Sequence, residues 1–156
     1  MMSETDNKLT REEIHKEIDL IQSCINRMDS NSFIIKGWMI TLVTALVAFL
    51  ADKVSICLIC LLSFIIVFCF WYLDGFFLKI ERLYRKKYEW VIKMRPERNL
   101  TFLYDLNPHN KEMWIGENCK KTTIIKMMFS TMLIPFYGLP LLIIVGVIVL
   151  CLFKCI

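Results

Sequence analysis

Charge is missing from three long stretches of this sequence, and that absence decides its class. Val54–Leu73 and Met127–Phe153 hold no charged residue, and Phe33–Ala51 holds only Lys36, near its start. A bilayer hydrocarbon core takes about 20 apolar residues as a helix, and a helix satisfies its own backbone polar groups in lipid. The runs exclude an ordinary soluble enzyme. Other absences narrow the field further. There is no P-loop, no metal-ligand cluster, no nucleophile placed with a base and no intramembrane carboxylate pair. No catalysis, metal or cofactor is therefore expected. A secondary transporter normally has more spans and often internal repeats, and this chain shows neither. Met1–Asp29 is polar and lacks a cleavable apolar core, so the first span is expected to insert as its own address.

Cysteine gives no framework. The seven cysteines are odd in number, and Cys57, Cys60, Cys69, Cys151 and Cys155 lie in or beside apolar runs. Inside a span, Cys57-x-x-Cys60 reads as packing rather than as a redox or zinc motif.

What is present fits an all-α membrane protein with three transmembrane helices and long cytosolic helical extensions. The chain is 56% hydrophobic with a mean hydropathy of +0.52, which leaves roughly half of it in water. Its formal charge of +4 is too mild to imply nucleic-acid binding, so the placement of charge matters more. Lys8, Arg11, Lys16, Arg27 and Lys36 precede or open the first span, and only Lys53 lies between the first two. Basic residues then crowd the segment from Lys79 to Lys126, and Lys154 alone follows the third span. The positive-inside bias places the N-terminus and central segment in the cytoplasm and the C-terminus in the periplasm. Trp38 and Trp71-Tyr72 fall at the same boundary, as an aromatic belt would. Lys36 and Asp74 should lie at similar depth, because only a tight hairpin joins their helices. They are a candidate boundary pair, the alternative being a Lys36 that simply snorkels.

The organisation expected is a cytosolic helix over 1–32, a transmembrane hairpin over 33–73 with spans 33–51 and 54–73, a basic helix and loop over 74–126, and a kinked span over 127–153. Thr10-Arg11-Glu12-Glu13 has the capping-box form. Apolar residues then recur at spacings of four and three: Ile14, Ile18, Ile21, Ile25 and Met28. The count continues through Ser32, Ile35 and Met39 into the membrane, a heptad-type seam. A helix from Thr10 to Ala51 would be roughly 60 Å long. Such a seam packs either on the central segment or on other copies, and the homo-oligomer is the sharper expectation.

Another face of the first span reads Gly37, Thr41, Thr44, Ala48. Small and hydroxyl residues let helices approach closely or line a narrow water path. In an oligomer this face is a candidate pore wall, with Leu42, Leu46 and Phe49 as a candidate apolar constriction. After the second span, Phe77, Ile80, Tyr84, Tyr88 and Val91 keep helical spacing until Pro96, which should end the helix. Lys79, Arg82, Lys86 and Lys93 fall along another face, with Arg85 and Lys87 beside it. Three uses compete for this face: topology with anionic-lipid contact, a solvated surface, and a phosphate-binding site for a nucleotide or oligonucleotide. Lys79, Arg82, Arg85, Lys86 and Lys93 are the candidate ligand-binding residues. Phe102–Leu106 is expected as a short strand or a docked loop, and Met113-Trp114-Ile115 as a small apolar knot. Pro135, Gly138 and Pro140 predict a kinked third helix or a re-entrant turn at Tyr137-Gly138.

Two stretches carry a family resemblance. One is Ile21-Gln22-Ser23-Cys24-Ile25-Asn26-Arg27-Met28, continuing through Asn31-Ser32-Phe33 to Lys36-Gly37-Trp38. The other is Phe70-Trp71-Tyr72-Leu73-Asp74-Gly75-Phe76-Phe77-Leu78 followed by Glu81-Arg82-Leu83-Tyr84-Arg85. Across roughly residues 20 to 95 the chain resembles small bacterial inner-membrane proteins of anti-phage defence loci, in particular the membrane effectors of the Hailong system. The resemblance implies an oligomeric effector, a tetramer, that conducts ions when released from control. It also implies a partner nucleotidyltransferase making the nucleic-acid-like ligand that holds the effector closed. The rival classes are a non-conducting anchor or scaffold for a cytosolic partner and a holin-like toxin.

Overall fold

A computed structural model of the protein describes residues 11–97, 100–114 and 123–154. Among these the chain is helical, with no strand. Helix α1 spans Arg11–Leu50 and α2 spans Ile56–Met94. A single 3-10 turn covers Lys111–Met113, a short α3 covers Ile124–Met128, and α4 covers Leu133–Lys154. Three of these helices, α1, α2 and α4, are long and apolar enough to cross a membrane. Thr10 of the expected capping box, Ile115 of the apolar knot, and Arg98, Lys120 and Lys121 of the basic segment lie outside the described residues.

The hairpin between α1 and α2 is as tight as the short Ala51–Ser55 interval requires. The amides of Lys53 and Val54 both turn back to the Leu50 carbonyl, at 3.0 and 3.2 Å. The Ser55 carbonyl accepts the amides of Leu58 and Ile59 and so starts α2. At its other end α2 stops just before Pro96, which has no amide proton to continue the ladder.

The chain divides into two compact units, and α1 and α2 each contribute to both. The first comprises Met1–Asp29 and Ile80–Thr122, and the second Ser30–Lys79 and Thr123–Ile156. The second boundary falls at Lys79 rather than at Leu73, where the apolar run ends. The reason is packing: Asp74, Gly75 and Leu78 are all engaged inside the second unit.

In the first unit the core is Ile21, Trp90, Val91 and Met113, flanked by Ile18, Ile25, Tyr88, Met94, Phe102 and Leu106. The middle of the α1 seam is thus packed within the chain: Ile21 is fully buried against α2 and the 3-10 turn, with Ile18 and Ile25 beside it, while Ile14 and Met28 are half-buried. This is the packing on the central segment that the spacing left open beside self-association. The physical reason is that the post-Pro96 segment supplies Phe102, Leu106 and Met113, more apolar surface than its irregular sequence suggests. Phe102–Leu106 is a docked loop and not a strand: Phe102 and Tyr104 have positive φ of 58° and 55°, in the left-handed region. Each such residue costs of order 1–3 kcal/mol, here offset by anchoring contacts described below.

In the second unit Met39, Val67, Leu133 and Tyr137 form the core. The third apolar run is not one kinked helix beginning at Met127. It breaks at Phe129–Met132, ahead of both prolines, and no re-entrant turn forms at Tyr137-Gly138. Pro135 sits in the first turn of α4, where its missing amide proton is not needed, and α4 continues through Pro140. The Ser130 side chain accepts the Leu133 amide at 3.4 Å, and the Ser130 carbonyl accepts those of Leu133 and Ile134.

Candidate functional site

Inside the second unit one carboxylate gathers three polar groups at the ends of the apolar runs. Asp74, on α2, is wholly buried. Lys36, on α1, places its ammonium 2.6 Å from Asp74 Oδ2. Ser32 lies one helical turn before Lys36, hence on the same face of α1. Its hydroxyl donates to Asp74 Oδ1 and accepts from Lys36 Nζ at 2.6 Å. Tyr137, from α4, donates its hydroxyl proton to Asp74 Oδ2 at 3.0 Å. A charge pair inside a membrane segment survives only when paired and hydrogen-bonded, and this one is both.

Aromatic rings wall the group. Trp71 stacks on Tyr137 with ring centroids 6.2 Å apart and meets Phe129 edge-on at 5.5 Å. Its indole N–H donates to the Met128 carbonyl at 2.9 Å, which satisfies an orphan acceptor at the end of α3. Trp71 is therefore a packing residue, whereas Trp38 and Tyr72 remain exposed. Lys36 Nζ also lies 5.8 Å from the Phe136 ring centre. Gly75 allows α3 to approach: a Cβ there would stand 2.7 Å from Met128 Cγ and 3.4 Å from its amide nitrogen.

The candidate pore face behaves differently. Gly37, Thr41 and Ala48 are exposed in the single chain, and nothing lies within 4 Å of where a Gly37 Cβ would be. The Thr41 hydroxyl bonds back to the Gly37 carbonyl at 2.9 Å. Thr44 is exposed as well and borders a cavity between spans. Leu42 and Phe49 are 41% and 70% exposed, while Leu46 is half-buried.

The first unit holds an ionic core that the sequence reading missed. Arg95 forks onto Glu17, with Nε to Oε2 and Nη2 to Oε1 both at 2.7 Å. Both side chains are buried. Glu17 Oε1 also accepts the Tyr104 amide at 3.1 Å, and Arg95 Nη1 donates to the Thr101 carbonyl at 3.1 Å. These bonds anchor the left-handed loop. A signal existed: Glu17 interrupts the apolar seam between Ile14 and Ile21, and an acid on a buried face demands a partner.

Lys87 is the second anchor. Its ammonium donates to the Asn107 carbonyl at 2.9 Å and lies 3.4 Å from Asp105. Burial pulls its pKa below the ordinary lysine value, against the opposing pull of Asp105. Burial raises Asp105 in turn, but donors from Asn110 and the Asn107 amide, with Lys87, outweigh it and leave the carboxyl below its ordinary value.

The structure does not assemble the candidate ligand-binding residues into one free basic face. Arg85 is ion-paired with the buried Glu81, and that bond holds its guanidinium above the ordinary value. Arg82 lies 3.9 Å from the same carboxylate. Lys86 sits over the Trp114 ring at 4.7 Å. Lys93 is exposed, and Lys79 is half-buried in the other unit. Arg85 does border a polar cleft of about 330 Å³ with Gln22, Asn26, Asp29 and Tyr88. Among the described residues no group of three or more His, Cys, Asp or Glu side chains is placed to hold a metal ion.

These observations define the class: an all-helical, multi-pass membrane protein with a buried ion pair in its membrane unit. Compared with protein-family models, curated proteins and solved structures, the chain finds no match.

Proposed function

We propose that this chain is a membrane effector of bacterial anti-phage defence, an oligomeric ion channel or pore of the inner membrane under ligand control. The N-terminus and the first unit face the cytoplasm in this reading, and the C-terminus faces the periplasm, as the basic residues direct. The defence setting and the tetramer rest on the sequence resemblance. The observation that carries the channel reading is the uncovered state of α1. Only 6% of its most apolar window is buried within the chain, and the Gly37, Thr41, Ala48 face has no intrachain neighbour packed on it. Three helices enclose no lumen, so a water path requires several copies, and this face of small and hydroxyl residues is suited to line it.

The basic helix would receive a nucleotide or oligonucleotide made by a partner nucleotidyltransferase. Lys93, Arg82 and Arg85 are its exposed cations. Arg85 would bind only by exchanging Glu81 for phosphate, which would couple ligand to helix α2.

Current across planar bilayers containing the purified protein tests the reading. Discrete conductance, suppressed or released by addition of oligonucleotide, is the expected result. Silent bilayers with confirmed insertion, together with an intact membrane potential in infected cells carrying the neighbouring genes, would leave a non-conducting anchor. Depolarisation by this chain alone, indifferent to any ligand, would make it a holin-like toxin.

A further inference from the structure

We infer that Cys60 of α2 and Cys151 of α4 are the two halves of a disulfide that ties the outer ends of these helices together. The inference rests on the orientation proposed above, with the C-terminus in the periplasm, and on a register that runs through the second unit. Asp74 of α2 meets Tyr137 of α4 through a hydrogen bond of 3.0 Å. Seven residues back along α2 and seven forward along α4 stand Val67 and Ile144, which share one core and border one cavity. The same step again reaches Cys60 and Cys151.

Seven residues advance a helix by roughly 10 Å and return to the same face within about 20°. One count falls while the other rises, so the two helices run antiparallel, and equal steps keep partners level. Burial follows the register. Asp74, Val67 and Cys60 are buried on α2, and Tyr137 is buried on α4 with Ile144 and Cys151 half-buried. Cys151 and the exposed Cys57 both lie within electrostatic reach of Cys60. Facing Cα atoms on packed helices come within about 6 Å, the range that a disulfide spans. Cys57, Cys60 and Cys151 carry free thiols in this structure.

Cys60 lies just inside the start of α2 at Ile56, and Cys151 just before the end of α4 at Lys154. Each thiol therefore stands about one turn from a helix end, close to water in the proposed orientation. The bacterial periplasm is an oxidising compartment, where an oxidised protein dithiol supplies the incoming disulfide. One cysteine thiolate attacks it to give a mixed disulfide, and the other cysteine displaces that bond. Two electrons and two protons leave the cysteines, and the oxidant departs as a dithiol. Tyr137 then holds the start of α4 and Cys151 its end.

The test takes the purified full chain in detergent, incubates it with oxidised glutathione, caps free thiols with N-ethylmaleimide and digests with trypsin without reduction. Trypsin separates 54–79, which holds Cys57, Cys60 and Cys69, from 127–154, whose one cysteine is Cys151. Mass spectrometry of the band that runs as a monomer should find the two peptides joined, with fragment ions placing the bond on Cys60. The melting temperature should rise by several degrees over the reduced protein. Cys60→Ala or Cys151→Ala should abolish the joined peptide, and Cys69→Ala should leave it. Unjoined peptides, a bond from Cys57, or joining confined to a covalent dimer would overturn the pairing. Capping thiols in intact cells shows whether the bond forms there. Asp52→Cys, in a chain whose other cysteines are alanine, reports the orientation through a membrane-impermeant maleimide. Labelling of that variant from outside, with Cys60 and Cys151 of the natural chain still reduced, would overturn the disulfide in the cell. No labelling from outside would overturn the orientation instead, and the pairing would stand on the purified protein.

Discussion

Lys36 and Asp74 stand 2.6 Å apart on different helices, and only the lysine end of the pair reaches the protein surface. Removing one partner of such a buried pair costs about 3–5 kcal/mol, whereas replacing both by apolar groups of similar size is often neutral or stabilising. Asp74→Ala should therefore destabilise the second unit strongly, because Lys36, Ser32 and Tyr137 all lose their acceptor. Lys36→Met with Asp74→Leu should recover most of the loss. Thermal unfolding in detergent, read through tryptophan fluorescence, gives the double-mutant cycle.

The Glu17–Arg95 fork predicts a separate lesion. Glu17→Ala takes the carboxylate away from a buried guanidinium, at about 3–5 kcal/mol, and frees the Tyr104 amide. Arg95→Lys keeps the charge but loses the two-pronged geometry. In both variants the loop around Thr101–Tyr104 should become protease-sensitive, while cleavage within α4 stays unchanged.

The seam residues now predict unfolding in place of dissociation. Ile21→Ala removes a fully buried side chain and should cost about 2–5 kcal/mol. Aspartate at Ile18 and Ile25 should disrupt the first unit. Circular dichroism and the oligomeric state, measured on the same sample, separate the outcomes: lost helix with unchanged stoichiometry fits intrachain packing, and intact helix with lost assembly contradicts it.

Two glycines of the second unit should respond oppositely to the same change. Gly75→Ala pushes its Cβ into Met128, so the roughly 1 kcal/mol of helix propensity gained is offset by displacement of α3. Gly75→Leu should be clearly destabilising. Gly37→Ala meets nothing within 4 Å, so it should stabilise the monomer by up to about 1 kcal/mol. Loss of assembly or current in Gly37→Leu, with stability retained, would place this face between copies. Unchanged assembly and current would assign it to lipid.

Acid should loosen the first unit through Asp105. Its folded pKa lies below its ordinary value of 3.8, so between those two values the unfolded chain binds more protons and stability rises with pH. The contribution is complete above 3.8 and disappears as pH falls through the folded value. Melting profiles stepped down from neutral pH should show this acid limb, and Asp105→Asn should flatten it.

Much of the architecture was legible along the chain, because it depends on local quantities. Uncharged length marked the membrane helices, 3.6-residue periodicity carried α1 and α2 beyond their apolar runs, and Pro96 marked where α2 ends. The short turn at Ala51–Ser55 forced Lys36 and Asp74 to similar depth. Choice of partner is a different kind of fact. Tyr137 reaches Asp74 from 63 residues away, and Arg95 reaches Glu17 across 78; no spacing rule encodes either. The proline cluster drew attention to 135–140, yet the helix breaks at Phe129–Met132. There Trp71 can hold the Met128 carbonyl and Gly75 admits α3. Likewise the α1 seam showed that an apolar partner was needed without saying which. Trp90 and Val91 of α2 with Met113, flanked by a loop tied by buried ionic bonds, meet it at Ile21. Periodicity states what each face requires, and only packing in three dimensions decides what meets the requirement.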